Sequence, residues 1–212
     1  MKNKDELIRY IDMCQASLAE STSNDYIQNH GIHGETFDFT DTGIEGFWME
    51  DVENVYIVFR STELTTKEIL ENFDFLPKNG FHRGVANKVS DELFFYILNL
   101  KLKTSKPLFF IGHSLGGAIA RYFGYKTSVT KSSYKVYTFG TYSTTRKDFS
   151  FYKMSDAKHY NYMVSNDKVG LIGKVFAFFC GYKDKYIYLK KKGCYSMENH
   201  NLVVYREVIE NG

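Results

Sequence analysis

Phe109-Phe110-Ile111-Gly112-His113-Ser114-Leu115-Gly116-Gly117-Ala118 is an apolar run that breaks at a glycine, presents one serine and resumes with small residues. It reads as strand, sharp turn, helix. Glycines two residues before and two after Ser114 make G-x-S-x-G, a turn in which the serine backbone is strained and neighbouring side chains must be nearly absent. Ser114 then stands at the tip of the turn, where its hydroxyl can reach both a histidine and a ligand. The backbone N–H of Leu115, at the start of the helix, points where an oxyanion would form. Taken alone the pentapeptide also describes a loop that merely favours Gly and Ser. Its flanks favour the turn: Pro107 to Ile111 is a short apolar strand candidate, and Ala118 to Tyr125 suits a helix whose small first turn allows close packing.

The 212 residues, 43% of them hydrophobic, predict a single domain over residues 1–212 with a substantial core. Two prolines and 17% aromatics argue against a linker-rich or low-complexity chain. A net charge of +2 is too mild for nucleic acid as a partner, because phosphate recognition needs a concentrated basic face. Lysines do cluster from Lys183 to Lys192, and they read as the solvated flank of a hairpin rather than a docking patch for an anionic surface. Cys14, Cys180 and Cys194 make neither a metal-ligand spacing nor a disulfide framework, which suggests a reducing compartment. No cluster of His, Asp or Glu recommends a metal, and no cofactor is expected. The charged start, Met1 to Glu6, lacks a secretory pattern, and Leu171 to Gly181, interrupted by Lys174, is far short of the roughly 20 residues that span a bilayer. The expectation is a soluble, cytoplasmic protein, with export by another route left open.

Along the chain, Leu7, Ile8, Ile11, Cys14 and Leu18 recur at helical intervals, so residues 5–19 predict an opening helix. Ser23 to Thr42 is polar and reads as loop with a short strand at its edge. Gly46 to Glu50 and Asn54 to Arg60 predict two strands around a turn, the second continuously apolar as a buried central strand should be. A long helix is expected from Val85 to Leu102, which makes strand, helix, strand up to the Ser114 turn. Lys135 to Gly140 and His159 to Val164 read as further strands, Thr145 to Met154 as helix or loop. Phe176 to Gly181 with Lys185 to Lys190 suggest a late strand pair, and Leu202 to Ile209 is a closing apolar segment of open type. Alternation of this kind predicts an α/β sandwich.

A serine hydroxyl needs a base to take its proton, and an imidazole base needs a carboxylate to fix its tautomer. The turn motif brings the chain order Ser, acid, His. Only His159 and His200 follow Ser114. His159 opens a predicted strand, whereas His200 sits in a polar loop before an apolar segment, which suits a ring at the rim of a sheet. Of Asp148, Asp156, Asp167 and Asp184, only Asp167 directly follows a strongly apolar strand; as a simple turn-former it would need no partner. His113 is expected to pack or hydrogen-bond beneath the turn, and His82 to be buried or to support the site from behind. A second oxyanion donor comes from the loop after an earlier strand, where Thr62 stands.

With these positions assembled, the chain resembles the class 3 lipases, the α/β-hydrolase family of the fungal triacylglycerol lipases. Phe59-Arg60-Ser61-Thr62 looks like that family's F-R-G-[ST], Asn72 to Phe75 like its N-x-D-F, and His82-Arg83-Gly84-Val85 like its H-x-G-F. Gly112 to Ala118 is similar to its elbow, Thr138-Phe139-Gly140 to its T-F-G and Asp167-Lys168-Val169 to its D-x-V. Gly181-Tyr182 with Tyr186 to Tyr188 resembles its late strand, and His200 falls where its closing histidine does. The matches run over about residues 45–205. The resemblance implies an α/β-hydrolase fold, a central mostly parallel sheet flanked by helices. It also implies Ser114, Asp167 and His200 as a triad, Thr62 and Leu115 as an oxyanion hole, an acyl ester or lipid as substrate, and transient contact with a lipid surface. Ser61 departs from the usual glycine, and Thr141-Tyr142-Ser143 lacks the proline-containing continuation. The fungal lid position, Glu63 to Asn72, is short and charged here, so weak interfacial activation is expected. An acyltransferase or amidase using the same serine, or a non-catalytic binding protein on the same scaffold, are the competing readings.

Overall fold

The computed structural model describes residues 4–39, 41–61, 77–78, 81–128, 134–142, 159–180 and 185–212. Seven strands form one sheet whose spatial order follows the chain: β1 (His33–Phe39), β2 (Ile44–Glu50), β3 (Val55–Phe59), β4 (Leu108–His113), β5 (Tyr134–Phe139), β6 (His159–Val164) and β7 (Ile187–Leu189). β1, β2 and β3 pair antiparallel, and every pairing from β3 to β7 is parallel. The turn between β2 and β3 is built by Asp51, whose Oδ1 accepts the backbone N–H of Glu53 and Asn54 at 2.9 and 2.8 Å. A two-residue ribbon, Pro77–Lys78 with Phe81–His82, lies apart from the sheet.

Among the described residues the helices are α1 (Lys4–Ala16), α2 (Glu20–His30), α3 (Arg83–Lys88), α4 (Asp91–Lys103), α5 (Ser114–Ser128), α6 (Lys168–Cys180) and α7 (Leu202–Glu210). β3 and β4 are buried along their whole length, and their side chains alternate between two cores. Tyr56, Val58, Phe109 and Ile111 face a cluster with Leu7, Tyr10 and Ile11 of α1 and Leu202, Tyr205 and Ile209 of α7. Val55, Ile57, Phe59, Leu108 and Phe110 face another with Leu93 and Ile97 of α4 and Ala118, Ile119 and Phe123 of α5. The mostly parallel sheet flanked by helices is as expected, and parallel strands buried on both faces explain the continuous apolar runs.

Three expectations are corrected, and one segment of open type is resolved. Ser23 to Thr42 is not mainly loop: α2 and β1 occupy it, the helix polar because its only buried residue is Ser23 and only Tyr26 and Ile27 pack on the core. The helix expected over Val85 to Leu102 is two, because Ser90 caps α4 by accepting the N–H of Leu93 at 3.2 Å. Phe176 to Cys180 is not strand but the end of α6, and β7 joins the sheet parallel to β6 rather than as a hairpin partner of that stretch; Gly181 lies outside the described residues. The lysine run therefore flanks a helix-to-strand crossover. Leu202 to Ile209 is the helix α7, capped by Asn201. Thr145 to Met154 lies outside the described residues.

Candidate active site

β4 ends in Gly112 and His113, and α5 starts at Ser114, so strand passes to helix with no intervening loop. Ser114 has φ +52°, the only non-glycine in the left-handed region among the described residues. That conformation costs an L-residue about 1–2 kcal/mol. The turn closes because side chains are missing around it. A Cβ on Gly112 would lie 2.3 to 2.5 Å from backbone atoms of Gly116 and Gly117, and one on Gly116 would lie 2.3 Å from the Phe59 carbonyl oxygen. The glycines flanking Ser114 are thus places where one backbone touches another.

Three side chains from three connections meet at the carboxyl end of the parallel strands. The Ser114 Oγ is 2.9 Å from His200 Nε2, and His200 Nδ1 is 2.8 Å from Asp167 Oδ2. All three residues are at most 5% exposed. Since a carboxylate only accepts, Nδ1 carries the proton and donates to Asp167, which leaves Nε2 to accept from the serine hydroxyl. Asp167 turns directly out of β6, and its other oxygen, Oδ1, accepts the N–H of Val169 at 2.9 Å and of Gly170 at 3.2 Å, capping α6. Burial pushes its carboxyl upward most strongly. The opposing pull of His200, by hydrogen bond and charge, with donors from Tyr205 and Gly170, wins and holds it below the usual value.

Two supports were not legible in the sequence. The Tyr205 hydroxyl on α7 donates to Asp167 Oδ2 at 2.8 Å and accepts the N–H of Val164 at 3.2 Å. Burial, then the charge of Asp167, raises its pKa well above the ordinary phenol value, so it stays a donor. Asn199, one residue before His200, donates Nδ2 to the carbonyls of Asn166 and Cys194 at 3.1 and 3.2 Å, tying the histidine turn to the acid turn. Nothing in local periodicity marks either residue, since their partners lie up to 41 residues away. Gly140 was visible only as part of T-F-G. Its φ of +64° is left-handed, and a Cβ there would come within 2.9 Å of the His200 ring.

His113 does lie beneath the turn: its Nε2–H donates to the His200 carbonyl at 2.7 Å. Burial first, then the neighbouring His200, lowers its pKa to about 3, so this ring is neutral. His159 pairs with Val136 at the amino end of its strand, opposite the end that holds Ser114. Leu115 is the residue after Ser114 in the first turn of α5. Thr62, residues 63–72, Asp148, Asp156 and Asp184 lie outside the described residues, as does the side chain of His82. A cleft of about 450 Å³ opens beside the triad, lined by Gln15, Leu18, Ser61, Met197, His200 and Val203 among others. Among the described residues no group of His, Cys, Asp or Glu is arranged to hold a metal ion.

A mostly parallel sheet whose strand-to-helix elbow presents a serine at its carboxyl end defines an α/β-hydrolase. The chain belongs to the class 3 lipase family, a family of carboxylic ester hydrolases: the model for lipase (class 3) matches residues 56–174, more than half of the sequence. That match ends before His200, whose place rests on the hydrogen bonds above. Solved structures agree on the fold. The mono- and diacylglycerol lipase of Aspergillus oryzae superposes with a TM-score of 0.71 at 16% identity, covering 91% of this chain and 81% of that one. The triacylglyceride lipase of Rhizomucor miehei gives 0.70 at 17% identity, covering 89% and 81%. A triacylglycerol lipase whose catalytic centre is a serine protease triad gives 0.70 at 19% identity, covering 87% and 79%. A search of curated proteins finds no match.

Proposed function

We propose that Ser114, His200 and Asp167 cleave a lipid acyl ester through an acyl-enzyme. The observation that carries this reading is the unbroken chain from Ser114 Oγ through both nitrogens of His200 to Asp167, at 2.9 and 2.8 Å. As Ser114 Oγ attacks the ester carbonyl, its proton passes to His200 Nε2, and Asp167, held ionised, stabilises the imidazolium without taking the proton. The carbonyl oxygen becomes an oxyanion, and we assign the N–H groups of Leu115 and Thr62 as its donors. His200 then protonates the leaving alcohol, a water attacks the acyl carbonyl with His200 again as base, and the acid is released. The triad that defines the structural neighbour's catalytic centre supports the same assignment here.

Labelling with a fluorophosphonate probe tests it. Wild type is expected to label and Ser114→Ala to lose the label, while His200→Ala lowers turnover by roughly 10⁴-fold. Labelling retained in Ser114→Ala would refute the nucleophile. The short, charged segment at residues 63–72 supports weak interfacial activation. Activity on tributyrin should therefore rise smoothly through its solubility limit; a jump there would overturn that part.

A further inference from the structure

α6 is turned inside out relative to an ordinary surface helix. Val169, Gly170 and Gly173 are buried, while Leu171, Ile172, Val175, Phe178 and Phe179 are exposed. At 100° per residue the five exposed side chains fall within an arc of about 120°, directly opposite the buried three. The inner face is small because the sheet comes close: a Cβ on Gly170 would meet Met163 Sδ at 2.3 Å, and a Cβ on Gly173 would meet the Tyr142 Cβ at 2.5 Å. The outer face could have been polar at no cost to that packing, yet it carries Phe178 and Phe179 at 82% and 78% exposure. Large apolar side chains gathered on one exposed helix face mark a contact surface. Beside it, Ile187 and Tyr188 of β7 are also exposed, and Lys174 Nζ lies 4.4 Å from the centre of the Tyr188 ring, linking helix to strand.

Charge identifies the occupant. The described residues between 168 and 192 contain six lysines and no acid, a local net charge of +6 in a chain whose total is +2, so the remainder carries −4. We propose that the outer face of α6, with the lysines around it, docks on an anionic phospholipid surface, the aromatic residues entering the headgroup boundary and the lysines meeting the lipid charge. A symmetric pairing of two copies through this face would instead bring +6 against +6. The helix is rooted on Asp167, which caps its first turn, and it lies against the 3-10 turn Glu198–His200, so docking sets the proposed triad next to the lipid. This rests on the acyl-ester reading only for what the surface delivers. It requires no lid: the face is exposed as the fold stands, so adsorption and interfacial activation are separable.

Co-sedimentation of the full chain with vesicles tests it without reference to activity. Wild type should bind vesicles of equal parts phosphatidylglycerol and phosphatidylcholine at least about 10-fold more tightly than phosphatidylcholine alone, and high salt should erase the difference. Phe178→Ser/Phe179→Ser should weaken anionic binding by about 10-fold or more, and Lys190→Glu/Lys192→Glu should do so while leaving residual salt-insensitive binding. Both double variants should hydrolyse a soluble short-chain ester like wild type and lose turnover on emulsions in parallel with vesicle binding. Binding that ignores lipid charge, or that survives the phenylalanine substitutions, would overturn the proposal, as would a dimer in sedimentation velocity that those substitutions disperse. A wild type that binds as described but hydrolyses no ester upholds the docking surface and removes the catalytic reading instead.

Discussion

His113 and His200 are 87 positions apart in sequence and their rings are 4.7 Å apart, centre to centre, yet the fold gives them opposite assignments. His200 faces a carboxylate with one nitrogen and a hydroxyl with the other, an arrangement that welcomes a proton passing through. His113 faces a backbone carbonyl, buried at the wall of the cleft, and its hydrogen bond holds the backbone of His200 in place. The cost of that role is a dependence on pH. Its folded pKa is lowered from 6.5 to about 3, so between those values an unfolded chain binds a proton that the folded chain refuses. Stability is therefore complete above pH 6.5 and declines as pH falls, by up to about 1.4 kcal/mol per unit, until the folded ring itself titrates. Asp167, lowered relative to an ordinary carboxyl, adds a further loss that begins as pH falls below the ordinary value of 3.8 and ends once the folded carboxyl itself is protonated. We expect the urea midpoint of wild type to drop steeply between pH 7 and pH 4.5, and that of His113→Gln, whose amide can still donate but does not titrate, to drop visibly less. Equal drops would mean that other groups carry the acid sensitivity.

At the scale of elements, the elbow works only because α5 starts against the end of β3. Gly116 is the point of contact, where an added Cβ would sit 2.3 Å from the Phe59 oxygen and 2.7 Å from the Arg60 oxygen, both backbone atoms that cannot swing aside. Gly116→Ala must push β3 and the first turn of α5 apart, at about 1–3 kcal/mol of stability. It should also lower turnover by roughly 100-fold, because one proposed oxyanion donor, Leu115, lies in the first turn of α5 and the other, Thr62, follows β3 by three residues in the sequence. Gly43→Ala is the control: its φ of +64° is unfavourable for alanine, but nothing lies within 4 Å, so it should lose about 1 kcal/mol with turnover intact. Normal turnover in Gly116→Ala would sever the link between β3 and the oxyanion hole. This dependence on near neighbours explains what could be read from the sequence. The elbow, the buried strands β3 and β4, and the order Ser114, Asp167, His200 leave local marks in spacing and hydrophobicity. The end of α6 reads as strand because Phe176 to Cys180 has a strand's composition; what makes it helical is the cap from Asp167 and two glycines that fit beneath the helix. α2 was missed because it buries so little that it has no apolar period to detect. Tyr205 and Asn199 act through partners reached only by tertiary folding, and no residue type or interval announced them.

Over the whole molecule, the proposed triad is a product of both cores at once. Ser114 begins α5, which packs with α4 on one face of the sheet; His200 leads into α7, which packs with α1 on the other; Asp167 lies at the end of β6 between them. β7 is only three residues long, so it cannot by itself anchor the chain that carries His200. The anchor is α1, whose Leu7, Tyr10 and Ile11 share a cluster with Tyr205 and Ile209 and whose Asp12 pairs with Arg206 at 2.5 Å. The first helix of the chain thus holds the last part of the site, and local opening of α7 would strip Asp167 of the Tyr205 donor. If sheet and both layers form one cooperative unit, far-UV circular dichroism and fluorophosphonate labelling of Ser114 will lose signal at the same urea concentration. Ile11 and Ile97 test this from opposite faces, since both are essentially buried, at 0% and 3% exposure. Ile11→Ala and Ile97→Ala should each cost about 2–5 kcal/mol and move both transitions together. Labelling that fails before circular dichroism in Ile11→Ala, but not in Ile97→Ala, would show instead that α1 and α7 open as a separate unit and that the site has its own, lower stability.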